Sequence, residues 1–255
     1  MPGKSKKPSQ QNKIAGKKIK IFAEGIELEA LNQFYSAMEN GFAITGALLP
    51  DAHTGYTLPI GGVVGTDNYI LPSWVGYDIG CGMCATATGI AAEHLIPFTE
   101  IIYKKIYAQV PTGFNSNVHP AKWDYRHLEK TKVLHGIFSK KGLKQLGTLG
   151  SGNHFIELGF DEDQRVWIIV HSGSRGLGHD VASHYMRLAS GDGKAREGHF
   201  GFEVNSTNGQ AYLKDMNFCV AYALENRKRI IGKIFDILSE TRPNQPFARM
   251  DTTRL

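Results

Sequence analysis

The stretch VGYDIGCGM, residues 75–83, places an aspartate and a cysteine three residues apart between glycines. Asp78 offers a hard carboxylate and Cys81 a soft thiolate, and the Ile-Gly pair between them lets both side chains reach one centre. The stretch is compatible with a tight turn, a metal site or half of a redox pair, because Cys81 and Cys84 form a C-x-x-C. No second C-x-x-C occurs, and Cys84 lies in an alternating segment typical of a strand, which argues against the redox pair.

Two histidines can join this pair. The segments FIELGF and RVWIIV, residues 155–160 and 165–170, flank a polar turn and predict a β-hairpin. His154 precedes the first strand and His171 follows the second, so that the two imidazoles can face each other across the ladder. Thiolate with imidazole favours zinc by ligand softness, although the sequence itself does not choose the metal. Either histidine alone is more commonly a hydrogen-bonded core residue.

Four glycine-rich loops carry the reactive side chains, at residues 50–62, 75–83, 149–157 and 171–178. Glycine allows close approach of the backbone to a ligand and exposes amides that can bind phosphate. In the last loop we expect Ser172, Ser174 and Arg175 to bind phosphate oxygens, helped by a helix that begins near Gly178. The chain contains no G-x-x-x-x-G-K-[ST] loop, so any nucleotide site is of another type.

Apolar spacing predicts three helices, over residues 26–39, 97–108 and 210–237. The second helix is expected to bury Ile101, Ile102 and Ile106. The third is expected to present an apolar face of Leu213, Met216, Val220 and Leu224. Strands and helices mix without a regular βαβ repeat, which favours an α+β fold.

The composition indicates a globular protein with a basic N-terminal tail. The 255 residues are 42% hydrophobic and 21% charged, enough for one large domain or two small ones. The first 20 residues contain seven lysines and no acid, so the net charge of +5 comes from a tail that we expect to be disordered. No long apolar run or signal core is present, and three cysteines are an odd number, which predicts a cytoplasmic protein with reduced thiols and no membrane partner.

Five segments together resemble one known family. PDAHTGYTLPIGG, GYDIGCGM, LGSGNHFIE, HSGSRGLG and YLKDMNFCVAYALENR are similar to the successive signature segments of the RtcB-type RNA-splicing ligases, over residues 20–237. The resemblance implies a single-domain α+β fold with mixed sheets and peripheral helices. It also implies a GTP- and Mn²⁺-dependent enzyme that joins an RNA 3′-phosphate or 2′,3′-cyclic phosphate end to a 5′-hydroxyl end. Such reactions occur in tRNA splicing and RNA repair. The resemblance is compatible with an accessory activating factor as a further partner.

The resemblance also implies roles for single residues. Asp78 resembles the ligand of one Mn²⁺ ion and Cys81 the thiolate that bridges two ions, while His154 and His171 resemble the remaining ligands of the other ion. The segment that contacts the guanine nucleotide in the family corresponds to Asn153, His154, Phe155, Ile156 and Glu157. Asp51 and His53 belong to a family motif for which we expect a supporting role.

The sequence departs from the family pattern towards its end. Family members supply a further ligand histidine and the histidine that takes up guanylate, whereas the last histidine here is His199. We therefore expect a basic tail (1–19), an incomplete catalytic domain (20–240) that lacks the C-terminal part, and a segment unlike the family (241–255). One possibility is an RNA ligase that is inactive alone. The alternative is a protein without ligase activity, which either binds metal and RNA ends or GMP, or acts as a phosphoesterase. A damaged fragment is a further alternative, and a small zinc-stabilised scaffold would account for the four ligand-type residues only.

Overall fold

The computed structural model describes residue 14 and residues 16–241. The described chain forms two compact units, each assembled from two segments. The first unit contains the residues up to 76 together with 182–213, and the second contains 77–181 and the residues from 214 onward. The predicted mixture of helices and strands is confirmed. Each unit has a sheet and a hydrophobic cluster of its own. The division into a tail, one catalytic domain and a C-terminal segment stays a prediction.

The first unit is built on a three-stranded sheet. Its elements are β1 (Lys18–Ile21), α1 (Leu28–Met38), β2 (Ala43–His53), β3 (Ile60–Thr66), β4 (Tyr69–Ile70), α2 (Pro72–Val75) and β8 (Phe202–Glu203). β1 runs parallel to β2, β2 is antiparallel to β3, and β4 pairs with β8. Helix α1, predicted at residues 26–39, buries Phe34 and Met38 against Ala43 and Leu48 of the sheet.

Regular structure begins earlier than the sequence predicted. β1 starts at Lys18, inside the expected tail of residues 1–19, because Lys18 pairs with Thr45 in the parallel ladder. Lys17 donates from Nζ to the carbonyl oxygens of Met38 and Asn40, at 2.6 and 2.7 Å. A cation at the C-terminal end of α1 is favoured by the partial negative charge of the unpaired carbonyls there. Residues 1–13 and 15 of the expected tail lie outside the described residues.

The second unit contains the sheet that carries the candidate site. Its elements are β5 (Gly82–Ala91), α3 (Ala92–Leu95), a 3-10 turn (Ile96–Phe98), α4 (Thr99–Gln109), α5 (Lys132–Gln145), β6 (Phe155–Phe160), β7 (Arg165–Ser172), the start of α6 (Arg175–Ser190) and most of α7 (Thr207–Thr241). The antiparallel sheet has the order β5-β7-β6, which confirms the predicted hairpin. β7 is two residues longer than predicted because its end pairs with β5, where Met83 lies opposite His171.

Alternation along β7 creates the core of this unit. Val166, Ile168 and Val170 point to one face and pack with Ile230 and Ile234 of α7. α7 is the longest described helix, with 35 residues. Neither α7 nor any other helix in the described part of the chain is long and apolar enough to cross a membrane.

Two predicted apolar faces require correction. The helix expected at 97–108 is present as the 3-10 turn and α4, and it buries Ile102, but Ile101 is 52% exposed. In α7 the expected face is only partly buried, since Leu224 packs against the hydrophobic cluster but Val220 is 45% exposed. The buried line of α7 instead includes Asp215, Asn226, Tyr212, Cys219, Tyr222 and Arg227. Polar residues occupy part of the buried face, so apolar spacing alone does not find its centre.

The expected boundary at residue 241 falls at the last residue of α7, and residues 242–255 lie outside the described part.

Candidate metal centre

Three predicted ligands converge at one edge of the β5-β7-β6 sheet. The donor atoms of Asp78, Cys81 and His154 all lie within 4.8 Å of one another. Cys81 Sγ lies 3.1 Å from Nε2 of His171, so the fourth predicted ligand joins the group. The hairpin register explains the pairing of the histidines. Phe155 lies opposite His171, and the rings of His154 and His171 are 5.5 Å apart between centroids.

A sharp turn brings the aspartate and the cysteine together. The N–H of Cys81 donates to the carbonyl oxygen of Asp78 at 2.9 Å. Gly80 has a φ of +77° in this turn, and a Cβ there would lie 2.9 Å from the Cα of Val220 in α7. Only glycine satisfies both the left-handed conformation and the close approach of the helix. Gly80, between Asp78 and Cys81, is therefore a structural requirement of the site.

The hydrogen bonds of His154 leave one ring nitrogen available for a cation. Nδ1 lies 2.9 Å from the carbonyl oxygen of Leu149, a contact that requires the proton on Nδ1. Without a proton on Nε2 the ring presents a lone pair there, 2.8 Å from Oδ2 of Asp78 and 3.6 Å from Sγ of Cys81. Two acceptors at 2.8 Å repel each other unless a proton or a cation lies between them. The donor set therefore fits a bound cation, with the orientation of the imidazole fixed from behind.

Asp78 is held in its ionised form. Burial acts to raise the pKa of Asp78, but the hydrogen bond and charge of His154, with smaller contributions from Cys81 and Ser174, outweigh burial and lower the pKa. Oδ1 accepts a hydrogen bond from the N–H of Ser174 at 2.9 Å. One carboxylate oxygen is thus fixed by the backbone while the other faces His154.

The pKa of Cys81 is shifted in the opposite direction. Burial of the thiol and the neighbouring Asp78 carboxylate raise the pKa of Cys81 to about 12, against a smaller lowering by the charge of Arg227. Burial also lowers the pKa of His171, which keeps this imidazole neutral at neutral pH. Without a cation the thiol is therefore protonated, and a cation that binds there must displace the proton.

The last residue of β7 and the loop that follows it hold the candidate ligands in place. The side chains of Ser172 and Ser174, predicted to bind phosphate, are fully buried. Ser172 donates to the carbonyl oxygen of Leu149 at 2.7 Å, and the backbone of Ser174 holds Asp78. These two hydroxyls are thus turned into the protein rather than towards a ligand. α6 begins at Arg175, three residues before the predicted start.

Arg175 is placed beside the candidate ligands. Its φ of +58° is unusual for a residue with a side chain. The guanidinium donates to Thr148 Oγ1 at 3.0 Å and to the carbonyl oxygen of Gly113 at 2.6 Å. A Cβ added at Gly150 would lie 2.0 Å from Nη1 of Arg175 and 2.8 Å from Nδ1 of His154. The 147–152 loop therefore brings a half-buried cation next to the imidazole, and phosphate binding by Arg175 stays a prediction.

The segment predicted to contact a nucleotide is divided between two faces. Asn153, Phe155 and Glu157 are exposed, and the ring of Phe155 lies 5.5 Å from that of His171. Ile156 packs against the hydrophobic cluster of the unit instead, because successive side chains of a strand point to opposite faces. Phe155 and Glu157 therefore share the face of His171, which lies opposite Phe155 in the ladder.

Comparison with known proteins decides the family. The sequence profile of a family described as "tRNA-splicing ligase RtcB" matches residues 36–137 and 124–253 of this chain. The chain belongs to the RtcB family. The second RtcB match includes residues 241–253, part of the segment that we expected to lie outside the family-like region.

Curated RtcB proteins agree with this assignment. The chain is 35% identical over 194 residues to the RNA-splicing ligase RtcB of Escherichia coli (strain K12), covering 67% of this chain and 47% of that protein. It is 30% identical over 265 residues to the tRNA-splicing ligase RtcB of Archaeoglobus fulgidus, covering 80% and 54%. Entamoeba dispar RNA-splicing ligase RtcB homolog 1 is 30% identical over 246 residues, covering 75% and 46%. The chain spans about half the length of these relatives.

The two RtcB-motif residues with an expected supporting role lie in the other compact unit. Asp51 and His53 end β2, and the carbonyl oxygen of Asp51 lies 2.7 Å from Nδ1 of His53. Their supporting role remains a prediction. Cys84 and Cys219 are both buried free cysteines.

Sequence reasoning missed Asn226, which joins two loops of the site. Its side chain is fully buried. Oδ1 accepts from the N–H groups of Gly147 and Thr148, at 2.6 and 3.2 Å. Nδ2 donates to the carbonyl oxygen of Thr148 and to Oγ of Ser172, both at 3.0 Å. Asn226 and Arg227 end the family-like segment YLKDMNFCVAYALENR, and their position among the buried residues of α7 indicates that they have structural partners.

Proposed function

We propose that this chain is the cation- and nucleotide-binding part of an RNA ligase. The reaction would join an RNA 3′-phosphate or 2′,3′-cyclic phosphate end to a 5′-hydroxyl end, with GTP as the source of guanylate. The observation that carries the proposal is the convergence of Asp78, Cys81, His154 and His171 from separate segments of the chain. Membership of the RtcB family supports the reaction class.

Asp78, Cys81, His154 and His171 are the residues that would hold Mn²⁺, with two ions in the complete site. A divalent cation bound there would neutralise phosphate charge and polarise the phosphoryl oxygens. The surrounding chain supplies orientation. The carbonyl of Leu149 fixes the tautomer of His154, and the N–H of Ser174 fixes the carboxylate of Asp78. Phosphoryl transfer is mostly a matter of such positioning and electrostatics.

The exposed side chains next to the histidines suit a guanine nucleotide. Guanine presents adjacent N–H donors, which a carboxylate such as Glu157 can accept, and Asn153 offers both an amide donor and an acceptor. Phe155 gives an apolar surface at the same edge. Arg175 would neutralise a phosphate group, since in the described part of the chain its guanidinium donates only to neutral oxygen atoms. RNA ends and GTP are therefore the proposed partners.

We further propose that these 255 residues alone bind the cation but do not form a covalent guanylate. No histidine follows His199 in the sequence, whereas the family resemblance implies a guanylylated histidine in that region. An RNA-end- or GMP-binding protein without ligation, or a phosphoesterase, is the second candidate function, because it requires only the cation-type ligands that the described residues bring together.

Titration with Mn²⁺ tests the cation site. The unmodified chain should bind Mn²⁺ in calorimetry, and Cys81→Ala should lose that binding because it removes the sulfur next to both imidazoles. Cys219→Ala is the matched control, since it removes a buried thiol of the same unit and should leave the stoichiometry unchanged. Equal stoichiometry in Cys81→Ala would contradict the proposed ligand.

Intact-mass analysis after incubation with GTP and Mn²⁺ tests the second part. We expect no guanylate adduct on the 255-residue chain. An adduct would show that a group within these residues takes up guanylate, and it would refute the proposal that the 255 residues alone form no covalent guanylate. Release of phosphate from a 3′-phosphorylated RNA, without joining, would support the phosphoesterase.

A further inference from the structure

A buried arginine of α7 connects the segments that carry the candidate ligands. Arg227 is 8% exposed and donates from Nη1 to the carbonyl oxygens of Gly80 and Ser172, at 2.8 and 2.6 Å. Gly80 lies between Asp78 and Cys81, and Ser172 directly follows the second histidine. One guanidinium group therefore bridges two ligand-bearing segments that are about ninety residues apart in the chain.

The charge of this arginine is directed at the site rather than at an acid. Among the described residues no carboxylate forms an ion pair with Arg227, and its Nε is buried without a hydrogen-bond partner. Burying a cation in this way is unfavourable by itself. Within the described chain, its Nη1 contacts only the two carbonyl oxygens next to the candidate ligands.

Asn226, the residue before Arg227 in α7, contacts the loop that precedes His154. Asn226 ties the backbone of Gly147 and Thr148 to Ser172. Thr148 precedes Leu149, whose carbonyl oxygen holds the ring of His154. Successive residues of one helix thus contact every segment that carries a candidate ligand.

We propose that Arg227, assisted by Asn226, is a positioning residue that fixes the Asp78–Cys81 turn against the end of β7 at the spacing required by a divalent cation. The inference rests on the proposed cation-binding function. Position and charge have opposite effects on binding. The positive charge alone repels a cation, so its removal would strengthen binding if electrostatics dominated. Loss of the two carbonyl contacts would weaken binding if position dominates.

Two substitutions separate these contributions. Arg227→Lys keeps the charge, but its ammonium nitrogen falls about one bond length short of Nη1 and lacks the rigid guanidinium fork. Arg227→Met removes the charge and the donors while keeping most of the apolar stem. If Arg227 positions the ligands, both substitutions weaken cation binding, and the lysine does not rescue it.

The experiment titrates the full chain and its variants with Co²⁺, whose visible and near-ultraviolet absorption reports coordination and the cobalt–thiolate bond. We expect both Arg227 variants to bind Co²⁺ at least about tenfold more weakly, the usual range for residues that support metal ligands. Their cobalt–thiolate absorption should also weaken at saturating Co²⁺. A merely structural arginine would lower the melting temperature of the metal-free chain without altering this spectrum.

Arg229→Met is the matched control. Arg229 lies two residues along the same helix and donates to Glu225 and to the carbonyl oxygen of Lys122, away from the candidate ligands. Its loss should leave Co²⁺ affinity and absorption unchanged. Unaltered binding in Arg227→Lys, or tighter binding in Arg227→Met, would overturn the positioning role alone. Failure of the unmodified chain to bind Co²⁺ would overturn the proposed cation site and this inference with it.

Discussion

Replacing Gly173 with alanine should remove cation binding through a single added methyl group. A Cβ at this position would lie 2.1 and 2.2 Å from the two carboxylate oxygens of Asp78 and 2.3 Å from its Cγ. Contacts below 3.0 Å are essentially never made by real Cβ atoms. The φ of Gly173 lies outside the left-handed region, so the substitution acts on Asp78 rather than on the backbone of its own loop.

The magnitude follows from the displacement. The carboxylate must move by about 1 Å to reach an ordinary contact, several times the tolerance of about 0.2 Å in metal–ligand distances. The same movement disrupts the contacts with His154 Nε2 at 2.8 Å and with Ser174 N at 2.9 Å. Hydrogen bonds to charged groups contribute about 1.5–3 kcal/mol each. Because Asp78 is partly exposed, we expect the free energy of unfolding to fall by roughly 2–3 kcal/mol.

Calorimetric titration with Mn²⁺ and urea unfolding of the metal-free chain measure the two effects. Gly82→Ala is the matched control in the neighbouring segment, because the nearest atoms to its added Cβ are 3.8 Å away. The control should bind Mn²⁺ as the unmodified chain does. If Gly173→Ala bound Mn²⁺ with unchanged affinity and stoichiometry, the placement of the Asp78 carboxylate against Gly173, and its role as a ligand, would be refuted.

Two further predictions concern stability. Ile102→Ala should lower the free energy of unfolding by about 2–5 kcal/mol, whereas Ile101→Ala, one residue earlier on the exposed face of α4, should change it by less than about 0.5 kcal/mol; similar urea midpoints for the pair would contradict the assigned face. Burial lowers the pKa of His199 below its ordinary value of 6.5, so the unfolded chain binds protons more readily. Stability should therefore fall as the pH drops below about 6.5, and His199→Gln should flatten that dependence; an unchanged slope in urea titrations between pH 7 and 5 would contradict it.

The meeting of His154 and His171 could be predicted from the sequence because a strand has only two faces. Once FIELGF and RVWIIV are paired across a short turn, the register places the residues at their outer ends side by side. The Asp78–Cys81 turn was predictable in the same local sense, from the spacing and the glycines. Contact between this turn and the histidines was not fixed by spacing, since it depends on the pairing of β5 with β7.

The parts that sequence reasoning missed depend on buried polar groups. The predicted inner face of α7 lacks Asp215 and Asn226 because hydrophobic periodicity takes only apolar residues into account. In the structure, Asp215 accepts hydrogen bonds from the backbone and side chain of Thr131, at 2.9 and 2.7 Å. A buried polar side chain requires a specific partner, and the partner is a backbone group of a distant loop that no local pattern reveals.

The same reasoning explains why the sequence predicts a ligand for the serines at the end of β7. Ser172 and Ser174 follow a histidine in a glycine-rich loop, a pattern that suits phosphate binding and ligand bracing equally well. The choice depends on whether other groups satisfy the loop. Asn226 and Arg227 reach Ser172 from α7, more than fifty residues later in the chain. The helix occupies the inner side of the loop, so the geometry of the candidate ligands is determined jointly by the loops that carry them and by a helix that carries none.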